Sequence, residues 1–237
     1  MSNKKIIIGI EFNNRSKPNN RWKIGLTKQW IEYRMSIFMK YTLQSLKNQT
    51  NQNFTVLVRY AKSSESTILQ TLNKHAPLPG NVRFISDGQY LKVQRQLTRG
   101  FKYLYLVRLD CDDTYHKNFI KQLHNHKPKP KTRALINQTG YVYDSLRHRV
   151  ATVKKPSPPF YTFIYKTADY FKGLRYKTPR GHSSVINLKH EILTKNGKRN
   201  YMVVVHERNT LNQRLLKKTN FVSKRTKVNA ILKKFIG

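Results

Sequence analysis

The chain has 237 residues, and its 47 Lys+Arg against 11 Asp+Glu give a net charge of +36, a surface that attracts polyanions. A hydrophobic share of 38%, with 14 Tyr and 11 Phe, supports a real core and excludes a disordered polycation. No run of about 18 uncharged apolar residues suggests a membrane span, and the lone Cys111 excludes an internal disulfide and fits a reducing cytosol. Residues 1–5 lead into a short apolar run, too short for the apolar part of a secretion signal, so no leader is expected.

In chain order, Ile6–Phe12 reads as a buried strand and residues 13–23 as a polar loop. Gln29–Lys47 carries Ile31, Met35, Phe38 and Leu46 near helical spacing. Phe54–Tyr60 predicts a second strand, Ser63–His75 a helix capped by Ser64 or Ser66, Val82–Ser86 a third strand, Gly88–Phe101 a helix and Tyr103–Leu109 a fourth strand. Strands alternating with helices predict a mostly parallel α/β sheet, whose ligands sit outside the carboxyl ends of the strands. Beyond a basic link at residues 127–131, Ala134–Tyr143 reads as a strand with a turn at Thr139-Gly140. Residues 153–164 hold Pro156, Pro158 and Pro159 and read as a loop. Tyr201–His206 predicts a late strand, and Thr219–Gly237 a basic segment with Val228, Ile231, Leu232 and Phe235 on one helical face. The domain expectation is therefore a catalytic unit over residues 1–210 and a basic helical extension over 211–237.

Three of the few carboxylates, Asp110, Asp112 and Asp113, crowd the end of the fourth strand. Their mutual repulsion is relieved by a hard divalent cation such as Mg²⁺ or Mn²⁺, which takes carboxylate oxygens and leaves positions for substrate phosphates. The alternative is a helix start, with Asp113 or Thr114 capping residues 115–126, although one acid suffices for a cap.

Several stretches resemble the GT-A fold, the Rossmann-like fold of nucleotide-diphospho-sugar glycosyltransferases. Ser45-Leu46-Lys47-Asn48-Gln49-Thr50 before Phe54-Thr55-Val56-Leu57-Val58 resembles its first helix, turn and second strand. Arg108-Leu109-Asp110-Cys111-Asp112-Asp113 resembles its Asp-x-Asp-Asp signature. Gly181-His182-Ser183 and Val205-His206-Glu207-Arg208-Asn209 are similar to the putative rhamnosyltransferase group. The resemblance is good over residues 30–125 and patchy beyond.

The resemblance implies transfer of a sugar from a UDP- or dTDP-sugar to a glycan, a cell-wall or anionic polymer, or a lipid-linked acceptor. Asp112 and Asp113 are then the expected metal ligands, with Asp110 on the ribose or the metal's water shell and His206 as a late ligand. His206 has a structural alternative as an ordinary strand-end histidine. Phe12, Asn13 and Arg15 close the first strand, where the nucleotide base rests in this fold. In many relatives the second strand ends in acids that read the base, whereas here it ends Val58-Arg59-Tyr60. Lys92, Arg95 and Arg108 are candidates for the diphosphate or solvated surface charges. For an inverting transfer the base candidates are His182, Asp169 and Asp144. His182 titrates near neutrality, Asp169 has Arg175 as a possible ion-pair partner, and Asp144 has a turn-capping alternative. The expected setting is cytoplasmic. The C-terminal segment either lies on an anionic inner membrane face or packs back on the domain. A metal-dependent nuclease and a basic nucleic-acid-binding protein are the competing readings.

Overall fold

The computed structural model describes residues 3–13, 21–194, 197–209, 212–217 and 220–237. The first half alternates strands and helices. In order these are β1 (Lys4–Glu11), α1 (Arg21–Ile24), α2 (Lys28–Ile37), α3 (Leu43–Lys47), β2 (Thr55–Tyr60), α4 (Glu65–Leu72), β3 (Val82–Ser86), α5 (Tyr90–Leu97) and β4 (Tyr103–Arg108). The second half holds β5 (Thr114–Tyr115), α6 (Phe119–Asn125), β6 (Ala134–Ile136), β7 (Thr139–Asp144), β8 (Arg149–Lys154), β9 (Tyr161–Lys166), α7 (Thr167–Phe171), β10 (His190–Ile192), β11 (Tyr201–Val205) and α8 (Arg225–Leu232).

A seven-stranded sheet runs β10-β6-β9-β4-β1-β2-β3, and a four-stranded sheet runs β5-β11-β7-β8. In the large sheet β1 pairs parallel with β2 and β4, and β2 with β3, while β9 enters antiparallel between β4 and β6. The fold is therefore α/β with a mostly parallel sheet flanked by helices. Ile6, Ile8 and Ile10 face one layer of the core with Val56, Val58 and Val107, while Ile7 faces the other with Leu57 and Leu104. Burial on both faces is why these strands read as continuous apolar runs rather than alternating ones.

Thr27 starts α2, its hydroxyl accepting the Trp30 N–H. The helix then passes through a π-helical turn, Phe38–Thr42, and continues as α3. Its inner face is tied to the segment after β4. Thr42 Oγ1 donates to the Asp113 carbonyl at 3.0 Å, and Ser45 Oγ both donates to the Tyr115 carbonyl and accepts its N–H, each at 2.9 Å.

The structure corrects several sequence expectations. Residues 153–164 are not one loop. The prolines sit between β8 and β9, and the aromatic and β-branched run from Tyr161 pairs with β4 and β6. Residues 134–143 split between the two sheets at Asn137, whose amide donates to the Phe160 carbonyl and accepts from Asn200. The acids do not cap a helix, because α6 begins only at Phe119. The helices expected over 63–75 and 88–101 are also shorter, starting after one 3₁₀ turn each.

At the C-terminus Val228, Leu232 and Phe235 are buried in a cluster with Val150, Met202 and Val204 of the small sheet and Ile37 and Tyr41. The apolar face of α8 is thus used within the domain and leaves a basic outer face. No helix among the described residues is long and apolar enough to cross a membrane.

The small sheet rests on one tight approach. Gly140 stands opposite Tyr201 in the register, and a Cβ there would lie 2.5 Å from the Tyr201 ring, which is itself stacked on Phe160 at 3.9 Å. Gly140→Ala is expected to cost about 1–3 kcal/mol through overpacking, read by urea denaturation. An unchanged midpoint would show that Tyr201 yields freely.

Candidate active site

The central parallel strands point their carboxyl ends toward one edge of the large sheet. Residues 109–113 leave β4 at that edge. Asp110 stays at the surface, its side chain 40% exposed and paired with Arg108 Nη2 at 2.9 Å. Arg108 Nη1 donates to the Pro159 carbonyl at 3.0 Å, which aims the guanidinium. Both residues line a 320 Å³ cavity together with Gly9, Glu11, Arg59 and Tyr161. Glu11 and Arg59, at the ends of β1 and β2, form an ion pair across it, and the Arg59 guanidinium lies 5.0 Å from the Tyr90 ring. Two arginines and two carboxylates at strand ends are suited to a ligand that carries both phosphates and hydrogen-bond donors.

Asp112 turns inward and is buried. Its Oδ2 accepts from Arg34 Nη1 and Asn209 Nδ2, each at 3.2 Å, and lies 3.3 Å from His206 Nε2. Burial by itself would raise the Asp112 pKa. The Arg34 guanidinium, then His206 and Asn209, outweigh it and hold the carboxyl well below the usual carboxylate range. Arg34 also donates through Nε to Cys111 Sγ, and burial pushes that thiol up to about 12, so Cys111 stays neutral. His206 is oriented by Tyr33, whose hydroxyl is 2.9 Å from Nδ1. With Nδ1 donating to Tyr33, Nε2 offers a lone pair beside Asp112; in the other tautomer Nε2 donates to the carboxylate.

Asp113 is buried and faces the small sheet, where its Oδ1 accepts the Val204 N–H at 3.1 Å. Burial, and then the charges of Asp112 and Asp110, push its pKa well above the usual value. The three acids therefore separate into a cavity group, a buried anion and a carboxyl spent on the backbone. Among the described residues no three His, Cys, Asp or Glu converge as a metal cage. Around the acid loop, Asp112 and His206 bring their donor atoms side by side. The carboxylate suits Mg²⁺ or Mn²⁺, which keeps waters and takes substrate phosphates for the remaining positions, while the imidazole is the softer donor of the two.

The other candidates are scattered. Phe12 is a core ring packed edge-on against Trp30 and Phe84. Asn13 is buried, donating to Gly25 O and Ser64 Oγ and accepting the Ala61 N–H, so its amide secures loops. Arg15 lies outside the described residues. Lys92 is exposed on α5. Arg95 lies over Phe171, 4.6 Å from the ring centroid, in a different pocket beside Asn3 and Lys102, at the end of the sheet where β1 and β4 begin. Asp144 accepts the Leu146 and Arg147 N–H groups and pairs with Arg149 at 2.8 Å, the geometry of a turn cap. Asp169 lines a third pocket with Lys131 and Arg133, away from the acids, and Arg175 donates to the carbonyls of Tyr170 and Leu174.

His182 is better placed. Its carbonyl accepts from Ser157 Oγ in the same 155–160 loop that holds Arg108 through Pro159. The ring is exposed; desolvation, then the charges of Arg108 and Lys155, lower its pKa below the ordinary 6.5.

Sequence reasoning missed Arg34, Tyr33, Glu11 and Tyr90. Arg34 did leave a signal: it stands three residues after Ile31 and four before Phe38, a charge inside the apolar stripe of a helix. Arg34→Met is expected to cost about 3–5 kcal/mol in urea denaturation, because it strips a buried carboxylate of its cation. The double variant R34M/D112N should cost clearly less than the sum of its parts. Additive losses would show that the pair is uncoupled.

The sequence profile of the family described as "Putative rhamnosyl transferase" matches residues 9–162. Among solved structures, S. aureus TarS in complex with UDP-GlcNAc is similar at 13% identity and a TM-score of 0.47, over 96% of this chain and 65% of that one. The chain thus spans less than two thirds of that relative's length. A cytidylyltransferase from Leptospira borgpetersenii gives 12% identity and a TM-score of 0.41, over 81% of this chain and 76% of that one. A protein described as a putative nucleotide-diphospho-sugar transferase from Desulfovibrio desulfuricans gives 13% and 0.35, over 98% and 97% of the two chains. No curated protein matches the chain. With the profile covering more than half of its length, the chain belongs to the putative rhamnosyl transferase family, a family of glycosyltransferases.

Proposed function

We propose that this chain is a metal-dependent glycosyltransferase that moves a sugar, rhamnose by its family, from a UDP- or dTDP-sugar to a glycan or anionic polymer. The observation that supports this most is the placement of the acid loop. It follows the central strand β4 beside an arginine-lined cavity, with His206 brought against Asp112 from the other sheet.

In this reading the nucleotide occupies the cavity at the ends of β1, β2 and β4. Glu11 and Arg59 meet its base or ribose, and Arg108 faces the diphosphate. As the anomeric bond breaks, negative charge grows on the leaving phosphate oxygen, and a guanidinium already fixed by Pro159 stabilises it without reorganising. Asp112 and His206 are the residues that would hold Mg²⁺ or Mn²⁺, which acts as a Lewis acid toward the diphosphate when bound. Asp113 is left out of that pair by its bond to Val204. Arg34 keeps Asp112 ionised, so the carboxylate is ready as a ligand across the working pH range.

His182 takes the acceptor hydroxyl's proton in an inverting transfer. Its lowered pKa keeps it unprotonated and able to accept one. Attachment to an anionic membrane, if present, would use the charge of α8, because its apolar side chains are packed inside.

Isothermal titration of UDP and dTDP, with and without Mn²⁺, tests the donor site. Metal should tighten nucleotide binding by at least about tenfold, and Asp112→Asn should remove that gain. Asp110→Asn, at the exposed end of the loop, should weaken the nucleotide with the fold intact. A folded parent chain that binds neither nucleotide in the presence of metal would sink the proposal. For the base, His182→Ala should lower kcat by about 10²–10⁴-fold and abolish an acid limb of kcat/KM centred below pH 6.5. An unchanged pH profile in that variant would assign the proton transfer elsewhere.

A further inference from the structure

Two concave sites lie at the end of the large sheet opposite the donor cavity, where β1 and β4 begin and β9 ends. The first encloses 790 Å³ and is lined by Arg95, Arg99, Lys102, Lys166 and Lys172, with no carboxylate in its wall. The second encloses 600 Å³ and is lined by Lys131, Arg133, Lys166, Arg175 and Lys177, against the single acid Asp169. Lys166, the last residue of β9, belongs to both, so the two form one basic edge.

Cations gathered in this way repel one another, and an anionic partner relieves the repulsion. Among the described residues none of these lysines or arginines forms an ion pair. Aromatic rings are interleaved with them. Arg95 lies over Phe171 at 4.6 Å, Arg175 over Tyr170 at 3.6 Å and Arg133 over Tyr176 at 5.6 Å, and Tyr176 is also stacked on Tyr165 at 4.4 Å. These rings hold guanidinium groups in place. A single-stranded nucleic acid needs free ring faces on which its bases can stack, and here those faces are engaged.

We propose that this edge binds an anionic glycan polymer, a polyanionic chain without bases, and that it holds this acceptor while transfer occurs at the other end of the sheet. Polyanion binding stands on the edge itself; the role of acceptor rests on the glycosyltransferase reading above.

The test is isothermal titration of the full chain with medium-chain inorganic polyphosphate and, separately, with single-stranded DNA. Two triple variants of equal net charge are compared. K102E/K166E/K177E reverses three exposed lysines of the edge, and K224E/K227E/K233E reverses three exposed lysines within and at the two ends of α8. The edge variant should lose at least about tenfold in polyphosphate affinity and show a shallower salt dependence, the α8 variant less than about threefold. Equal losses in the two variants would overturn the proposal in favour of diffuse attraction, as would no loss in the edge variant. DNA bound more tightly than polyphosphate, and lost in the edge variant, would reassign the edge to nucleic acid. UDP and dTDP binding should be unchanged in the edge variant. A parent chain that binds polyphosphate at this edge but neither nucleotide would keep the edge and remove its role as acceptor site.

Discussion

One carboxylate oxygen organises the active end of this molecule. Asp112 Oδ2 meets Arg34 from α2, Asn209 from the turn after β11, and His206 at the end of that strand. A buried anion is costly to desolvate, and leaving it partly satisfied would cost more than replacing it with an apolar side chain. The three contacts therefore act as a set. They also join the two sheets, because Asp112 follows β4 of the large sheet while His206 follows β11 of the small one. The neighbouring Asp113 makes a second crossing through the Val204 N–H.

The helix that delivers Arg34 needs unusual backbone. Arg34 must reach Cys111 and Asp112, while Thr42 and Ser45 must reach the carbonyls of Asp113 and Tyr115. The π-helical turn at Phe38–Thr42 separates these two sets of contacts and changes the rotation between them. Such turns are rare and concentrate at functional sites. Here its effect is that successive turns of one helix address successive residues of the acid loop. Gln49, just beyond the helix, continues the series by donating to the His116 carbonyl and accepting the Ile120 N–H.

The central sheet was legible because β1, β2 and β4 are apolar on both faces, and the acid loop because three carboxylates stand out in a chain so basic. The later strands were harder to read. Pro156, Pro158 and Pro159 masked β8 and β9 on either side, and Asn137 at the crossover gave no local sign that its apolar neighbours join different sheets. Of the site, His206 was readable as a strand-end histidine, but its distinguishing contact, Tyr33, comes from a residue 173 positions away. In one dimension Asp169 stood level with His182, and Asp144 stood behind them with a turn-capping alternative. Only folding shows that Asp144 closes a hairpin, Asp169 sits in a different pocket, and His182 and Arg108 are both tied to the 155–160 loop. Pairings between distant segments carry no local pattern, which is why these roles could not be separated earlier.

Strand β9 places Tyr161 in the wall of the arginine-lined cavity and Lys166 at the basic edge. Its five intervals, at about 3.4 Å each, set these points roughly 17 Å apart. Because β9 is paired on both sides with β4 and β6, this spacing is fixed, and on the proposed acceptor path it would serve as a ruler. An acceptor engaged at both ends must be longer than the strand, so short oligomers would reach the cavity without the charged anchorage. Processing would then favour chains that have already grown past that length, and size selection would come from the sheet's own repeat rather than from a dedicated gate.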